Sequence, residues 1–310
     1  FCVMDGKEFL KDAPDADEAH LFDAGIAAYL LNPLKSQYSY DDIVKEYVHR
    51  YVPAVEEIFG GSKIPAAGKM TPEQQESYAG HQAYAVFAAQ ENMEKLLKEQ
   101  GMWDLYRNVE IPLVFTLRQM EAEGLAAEKE ALSVYGAELA ERIGELEAQI
   151  YEESGEEFNI NSPKQLGELL FEKLGLPAVK RTKSGYSTNA DVLEKLKNKH
   201  PIIQAILDYR MLAKLKSTYA DGLVKEIAED GRIHTTFQNT VTATGRLSST
   251  EPNLQNIPVR TELGSEIRKM FIPADGCVFI DADYSQIELR VLAHIADDAH
   301  MQAAFRSGMD

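Results

Sequence analysis

Two aspartates, Asp281 and Asp283, close the run VFIDADY, and Tyr284 follows them directly. Carboxylate and carbonyl oxygens are the hard donors that Mg²⁺ takes, alongside retained waters and phosphate oxygens. The run follows the turn Pro273-Ala274-Asp275-Gly276 and reads as a largely buried strand, and SQIELRVLAHIA after it resumes a helical period. Asp283 would then sit at a strand C-terminus beside an exposed turn. Asp281, two residues earlier, would face the same side. Phosphoryl transfer by two metals needs carboxylates fixed around ions roughly 3.5–4 Å apart. Same-face neighbours on one strand bracket two ions poorly. The competing reading makes Asp283 the N-cap of the following helix.

Upstream, TATGRLSSTEPNLQNIPVR at 242–260 is polar and carries Arg246, Asn253, Gln255 and Arg260. Such side chains can donate to the purine N3 and pyrimidine O2 acceptors that every base pair shows in the minor groove. Asn and Gln in loops also tie down their own backbone, and composition does not choose between the two. Arg210, Lys214 and Ser217 fall at i, i+4 and i+7 of a predicted helix, with Lys216 nearby. That stripe suits phosphate contacts, or a solvated face.

The elements that must position these residues are mostly helical. LFDAGIAAYLLNP predicts a buried helix ending before Pro33. Thr71, Pro72 and Gln74 make a capping-box start for a helix, or a broken pair, reaching about residue 100. Residues 108–151 are dense in Ala, Leu and Glu, with a break at Gly124. Ser162, Pro163 and Gln165 start another helix, with Leu166, Leu169, Leu170 and Leu174 on one face. A further helix begins near Thr188, and a long one covers about 201–229. From Gly231 the pattern turns to β-branched residues and reads as strands. The fold class is therefore α+β, mostly helical, with a sheet entering only at the C-terminal end.

Composition sets outer limits. The 310 residues suggest two or three domains, and 45% apolar with 26% charged residues is ordinary for a globular chain. No apolar stretch is long enough to span a bilayer, and no secretory signal opens the chain. The two cysteines, Cys2 and Cys277, exclude a disulfide scaffold and a four-thiolate zinc site, and a reduced, cytoplasmic setting fits. The net charge of −18 hides an asymmetry: residues 1–160 hold 31 acidic and 13 basic side chains, whereas 161–310 hold 19 of each. Within 180–220, nine Lys/Arg face three Asp/Glu, so a polyanion is attracted there and repelled by the N-terminal half.

At these residues the chain resembles the family A DNA polymerases, the bacterial DNA polymerase I type. DYSQIELR at 283–290 is similar to that family's motif A, and TATGRLSSTEPNLQNIPVR to its minor-groove-binding segment. FNINSPKQLGELLFEKLGLP at 158–177 and DYRMLAKLKSTYADGL at 208–223 resemble its thumb. The matches keep the family's order over roughly 108–310. The resemblance implies three regions: a degenerate 3′–5′ exonuclease-like domain remnant over 1–107, a palm-base helix and helical thumb over 108–230, and the first part of an antiparallel-sheet palm, with motif A, over 231–310. It implies DNA-directed DNA polymerisation with two Mg²⁺ ions in the complete active site, and primer–template DNA and deoxynucleoside triphosphates as partners. No membrane and no obligate protein partner are inferred.

Residue by residue, the resemblance makes Asp283 the catalytic carboxylate and a metal ligand, with the Tyr284 carbonyl beside it. Gln286 and Ile287 would line the incoming nucleotide, and Glu288 would exclude a ribose 2′-hydroxyl. Arg246 would contact the minor groove at the primer terminus, Asn253, Gln255 and Arg260 would also contact DNA, and Lys214, Lys216 and Ser217 would hold phosphates. Asp281 becomes a bystander. Two departures stand out. In YAGHQAY at 78–84, Tyr78 is present but Gln82 occupies the position of a proofreading aspartate, so the expectation is an N-terminal domain without proofreading. Asp5 is a weaker match to another exonuclease carboxylate. The chain also stops soon after motif A, before the family's fingers helix and second catalytic aspartate, so the expectation is a fragment inactive alone. A sheet stopping there would leave apolar surface and an open edge. The other classes in play are a pure DNA-binding module and a nuclease using Asp5, and Gln82 counts against the second.

Overall fold

Thr71 and Gln74 act on each other as the spacing predicts. In the computed structural model the Gln74 N–H donates to Thr71 Oγ1 at 3.3 Å and the Thr71 N–H donates to Gln74 Oε1 at 3.0 Å. The helix they start, Pro72–Glu99, is unbroken and buries Ala85, Ala89, Met93 and Leu97, four positions one turn apart. The structure describes all residues except Ser36, Val179, Lys183, Ser184, Val259, Arg260, Thr261, Met309 and Asp310, so the expected DNA contact at Arg260 lies outside the described residues.

The chain divides into two compact units, Phe1–Ile272 and the residues from Pro273 onward. The first unit opens with strand β1 (Cys2–Val3), helix α1 (Gly6–Asp12), strand β2 (Phe22–Asp23) and helix α2 (Ala24–Leu31). β1 and β2 pair in parallel, Cys2 opposite Phe22 and Val3 opposite Asp23, so strand pairing is not confined to the C-terminal end as the composition suggests. The helix Pro72–Glu99 is α3, and α4 covers Ile111–Glu123. Leu10, Phe22, Ile26, Met93, Leu97, Tyr106, Ile111 and Val114 share one buried cluster, so α4 completes the N-terminal core. Each fully buried aliphatic side chain contributes about 1.5–3 kcal/mol.

Gly124 ends α4 with φ of 65°, and a Cβ there would meet the His234 ring at 2.7 Å and the Ile233 carbonyl at 2.9 Å. Only glycine fits so close an approach. It lets β3 (Leu125–Ala126) pair antiparallel with β4 (Arg232–Ile233). Helix α5 (Lys129–Ser154) follows, then α6 (Pro163–Gly167), α7 (Ala190–Leu196), α8 (Ile202–Lys214) and α9 (Asp221–Glu226). Ser162 caps α6 by accepting from the Gln165 N–H at 3.4 Å, while Gln165 Oε1 turns to the Asn159 N–H at 2.7 Å instead of completing the box. Leu166, Leu169 and Leu170 are buried as expected. Leu174 is only half-buried, because a π turn over Glu168–Lys173 widens the helix and shifts its face. Asn189, one residue beyond the expected start, caps α7.

Two more cores follow. Ile150, Leu166, Leu170, Leu193, Ile203 and Ile206 cluster between α5, α6, α7 and α8. Leu132, Leu139, Leu212, Leu215, Tyr219, Ile233 and Ile267 form the other, the last from helix α10 (Glu262–Lys269). Strands β5 (Thr236–Gln238) and β6 (Ser248–Thr250) pair antiparallel, Thr236 opposite Thr250 and Gln238 opposite Ser248.

The second unit holds helices α11 (Ile287–Ile295) and α12 (Ala299–Arg306) and corrects one expectation. The run VFIDADY is not a strand: it has irregular backbone, and Val278, Phe279 and Ile280 are 78%, 57% and 88% exposed. A run apolar on both faces becomes a strand only with neighbours on both flanks. No described residue pairs with it. No helix among the described residues is long and apolar enough to cross a membrane.

Candidate nucleic-acid interface and carboxylate segment

The segment expected to meet the minor groove is held by two buried hydroxyls. Thr235 Oγ1 lies 2.7 Å from Ser249 Oγ and donates toward the carbonyls of Thr250 at 3.1 Å and Pro252 at 2.8 Å. Ser249 Oγ in turn accepts from the Leu254 N–H at 3.1 Å. Buried hydroxyls must be paired, so these bonds pin the chain as it leaves β6. Beyond the knot, Asn253 Oδ1 accepts from the N–H groups of Gln255 at 3.0 Å and Asn256 at 3.2 Å. Gln255 Nε2 donates to the Leu247 carbonyl at 3.1 Å, and the Tyr219 hydroxyl donates to the Asn256 carbonyl.

The structure therefore joins the Arg246–Leu247 turn to the Asn253–Gln255 turn. Arg246, Asn253 and Gln255 are all exposed. Thr242 Oγ1 donates to the Arg246 carbonyl at 2.6 Å and closes the turn around Gly245, whose φ is 79°. Asn253 and Gln255 thus shape their own backbone, the competing reading of the sequence, and do so on a surface open to a ligand.

The basic stripe is only partly assembled. Arg210 faces inward: it donates to the Thr188 carbonyl at 2.5 Å and the Ile160 carbonyl at 3.2 Å, and burial lowers its pKa. It ties α8 to the starts of α6 and α7 and is no phosphate contact. A π turn over Leu215–Ala220 breaks the i, i+4, i+7 spacing beyond it. Lys214 and Ser217 are exposed, with Ser217 Oγ donating to the Lys214 carbonyl at 3.4 Å. Lys216 is half-buried and pairs with Asp221 at 2.5 Å.

In the second unit Asp281 and Asp283 are exposed, and Asp283 Oδ1 accepts from the Tyr284 N–H at 2.8 Å. Asp283 does not cap α11: that position is Gln286, with φ of 50° and no side-chain cap bond. Ile287 and Glu288 begin the helix and are exposed, the carboxylate in the first turn where the helix dipole favours it. Arg290 Nε donates back to the Ser285 carbonyl at 2.8 Å, which fixes the turn between Asp283 and α11. No three His, Cys, Asp or Glu among the described residues are grouped as a metal site. The exposed Asp283 carboxylate and the adjacent Tyr284 carbonyl are nonetheless the hard oxygen donors that Mg²⁺ accepts from protein while it keeps water and phosphate ligands.

Toward the N-terminus, the exposed Asp5 caps α1 by accepting from the Glu8 N–H at 3.1 Å, and the half-buried Gln82 donates through Nε2 to the Tyr78 hydroxyl at 2.7 Å. The sequence reading missed Asp23. It is buried and accepts from the N–H groups of Gly6 at 2.6 Å and Ile26 at 2.9 Å, and burial pushes its carboxyl up to about 7. The available signal was its place just before AGIAAYLL, an N-cap position. The sequence reading also missed Lys7, whose ammonium is buried against Glu121.

The sequence profile of DNA polymerase family A matches residues 129–310, and the chain belongs to that family. DNA polymerase I of Bacillus subtilis (strain 168) is 45% identical over 295 residues, 93% of this chain and 33% of the relative. DNA polymerase I of Geobacillus stearothermophilus is 46% identical over 296 residues, 94% of this chain and 33% of the relative. The chain thus spans about a third of the length of the curated relatives it matches. Among solved structures, the POL domain of Pol1 from M. smegmatis, in complex with DNA primer-template and dNTP, superposes with a TM-score of 0.79 at 39% identity. That match covers 93% of this chain and 47% of the other.

Proposed function

We propose that this chain is part of a DNA-directed DNA polymerase that adds deoxynucleotides to a primer 3′-hydroxyl. The observation that carries the reading is the likeness, at 39% identity and a TM-score of 0.79, to a polymerase domain solved with primer-template and dNTP. The exposed turns of Arg246, Asn253 and Gln255 support it, because contacts to minor-groove acceptors common to all base pairs test duplex geometry without reading sequence. Lys214, Lys216 and Ser217 would hold backbone phosphates. Lys216 would have to leave or share Asp221 to do so.

Asp283 and the Tyr284 carbonyl would hold Mg²⁺, which when bound activates the primer hydroxyl and stabilises the leaving pyrophosphate. Gln286 and Ile287 would line the incoming nucleotide, and Glu288 would crowd a ribose 2′-hydroxyl. The N-terminal region would be an exonuclease-like domain without proofreading. Its supports are the amide at Gln82, bonded to Tyr78, and the use of Asp5 as a helix cap.

Titration of the chain with labelled primer–template duplexes of unrelated sequence tests the reading. Similar affinities for all of them, falling together as salt rises, are expected. No binding at low salt would overturn it.

A further inference from the structure

Two hydrogen bonds run from the N-terminal elements to the strand and loop that carry Arg246. Lys7 Nζ donates to the Phe237 carbonyl in β5. The Tyr29 hydroxyl donates to the Thr242 carbonyl at 2.7 Å. Tyr29 is a rigid base for such a bond: it is buried on α2, with its ring edge-on to Tyr38 at 6.2 Å. The start of α2 is itself fixed, since the Asp23 carboxyl caps it and the Tyr106 hydroxyl bonds both the N–H and the carbonyl of Asp23.

Between the two anchors, residues 238–241 line a cavity of about 430 Å³, and Val241 is exposed. Apolar packing therefore does little to hold this stretch, and its ends set its course. From Thr242 the path to the DNA-facing turn is short, because Thr242 Oγ1 donates to the Arg246 carbonyl at 2.6 Å. Tyr29 and Arg246 are thus linked through one residue by two hydrogen bonds.

We propose that Tyr29, assisted by Lys7, is a positioning residue for DNA binding, and that the N-terminal elements serve as the bracket that sets where Arg246 meets the duplex. This rests on the polymerase reading above. Tyr29 touches no substrate and acts only through Thr242. Removing its hydroxyl leaves the ring in the core and frees one end of the loop.

The test is Tyr29→Phe in the full chain, with amide hydrogen exchange and the Kd for a primer–template duplex measured beside Arg246→Ala. Exchange should speed up over 240–247 while α2 and β1 stay protected, and Kd should rise about 3- to 10-fold, the effect of one net hydrogen bond. Thr242→Ala should act in the same direction, and the rise in Kd of the double variant should be smaller than the product of the two single effects, because both cut one path. A Kd within twofold of the parent for Tyr29→Phe, with Arg246→Ala weakened, overturns the bracket and leaves the DNA-binding reading standing. If neither variant binds differently, both fall. Faster exchange throughout α2 and β1 would make Tyr29 a core residue only and also overturn the proposal.

Discussion

Lys7 and Glu121 lie 114 residues apart in the chain and 2.5 Å apart in the fold, each side chain only 10% exposed. The same carboxylate oxygen accepts from the Phe237 N–H at 2.8 Å, so one ion pair joins α1, α4 and β5. Removing one partner leaves the other charge buried without compensation. Lys7→Met is expected to destabilise the chain by about 3–5 kcal/mol. The Lys7→Met/Glu121→Gln double variant is expected to lose less than the sum of the two singles, because Gln still accepts from Phe237 and no charge is stranded. Urea unfolding of the four proteins checks this, and additive losses would refute it.

Asp23 gives a pH dependence whose sign follows from its surroundings. Burial raises its carboxyl from 3.8 to about 7, partly offset by the bonds from Ile26 and Gly6. The folded chain then keeps a proton that the unfolded chain has lost. Stability should fall as pH rises from about 4 to about 7, by at most roughly 1.4 kcal/mol per unit, and level off above. Asp17, Glu57, Glu73 and Asp230 act in the opposite sense. Their folded pKa values are lowered, so the stability they confer is lost as pH falls through the acid range. Subtracting the Asp23→Asn stability curve from that of the parent cancels these groups. The difference should slope only between about pH 4 and 7. Parallel curves would show that the carboxyl is ionised in the fold throughout.

The contrast between Thr71 and Asp283 explains how much was legible in sequence. Capping at Thr71 needs only residues 71–74, so the motif and the helix follow from neighbours in the chain. The strand expected at VFIDADY needs partners that no local pattern supplies, and the segment stays irregular. Between these extremes, Arg210 was placed on the correct helix, yet which way it faces is set by the distant carbonyls of Thr188 and Ile160. The Lys7–Glu121 pair left no trace in spacing at all. The loop of Asn253 and Gln255 is marked in the sequence by its polar residues; the structure shows these side chains bracing the turn, and it leaves them exposed.

Arg210, Lys214 and Arg246 should separate in one set of experiments. Lys214→Ala removes an exposed charge and should lower the slope of log Kd against log salt for duplex DNA by about one unit with little change in stability. Arg246→Ala should weaken binding with little dependence on sequence. Arg210→Met leaves two carbonyls without their donor and should cost roughly 1–3 kcal/mol of stability, with the salt slope of the folded protein unchanged. A changed slope for Arg210→Met, or an unchanged one for Lys214→Ala, would overturn the proposed phosphate contact on α8.

Gln82 carries the last prediction. Hydrolysis of a DNA 3′ end by two metals requires carboxylates that can approach both ions. One turn from Tyr78, the chain offers an amide whose Nε2 donates to the phenol at 2.7 Å, and that phenol ring packs against Tyr40 and Phe59 at 5.7 and 5.5 Å. An amide adds no charge to offset a divalent ion, and here its Nε2 is turned to the half-buried phenol. Asp5 is likewise engaged, capping α1 through the Glu8 N–H. With either Mg²⁺ or Mn²⁺, a 3′-labelled primer–template should keep its label at protein concentrations that saturate binding. Release of the labelled nucleotide that EDTA abolishes and Asp5→Ala slows would restore a nuclease to this region. Release that persists in EDTA would instead mark a contaminant, because nothing at Tyr78 and Gln82 can cleave a phosphodiester without a metal.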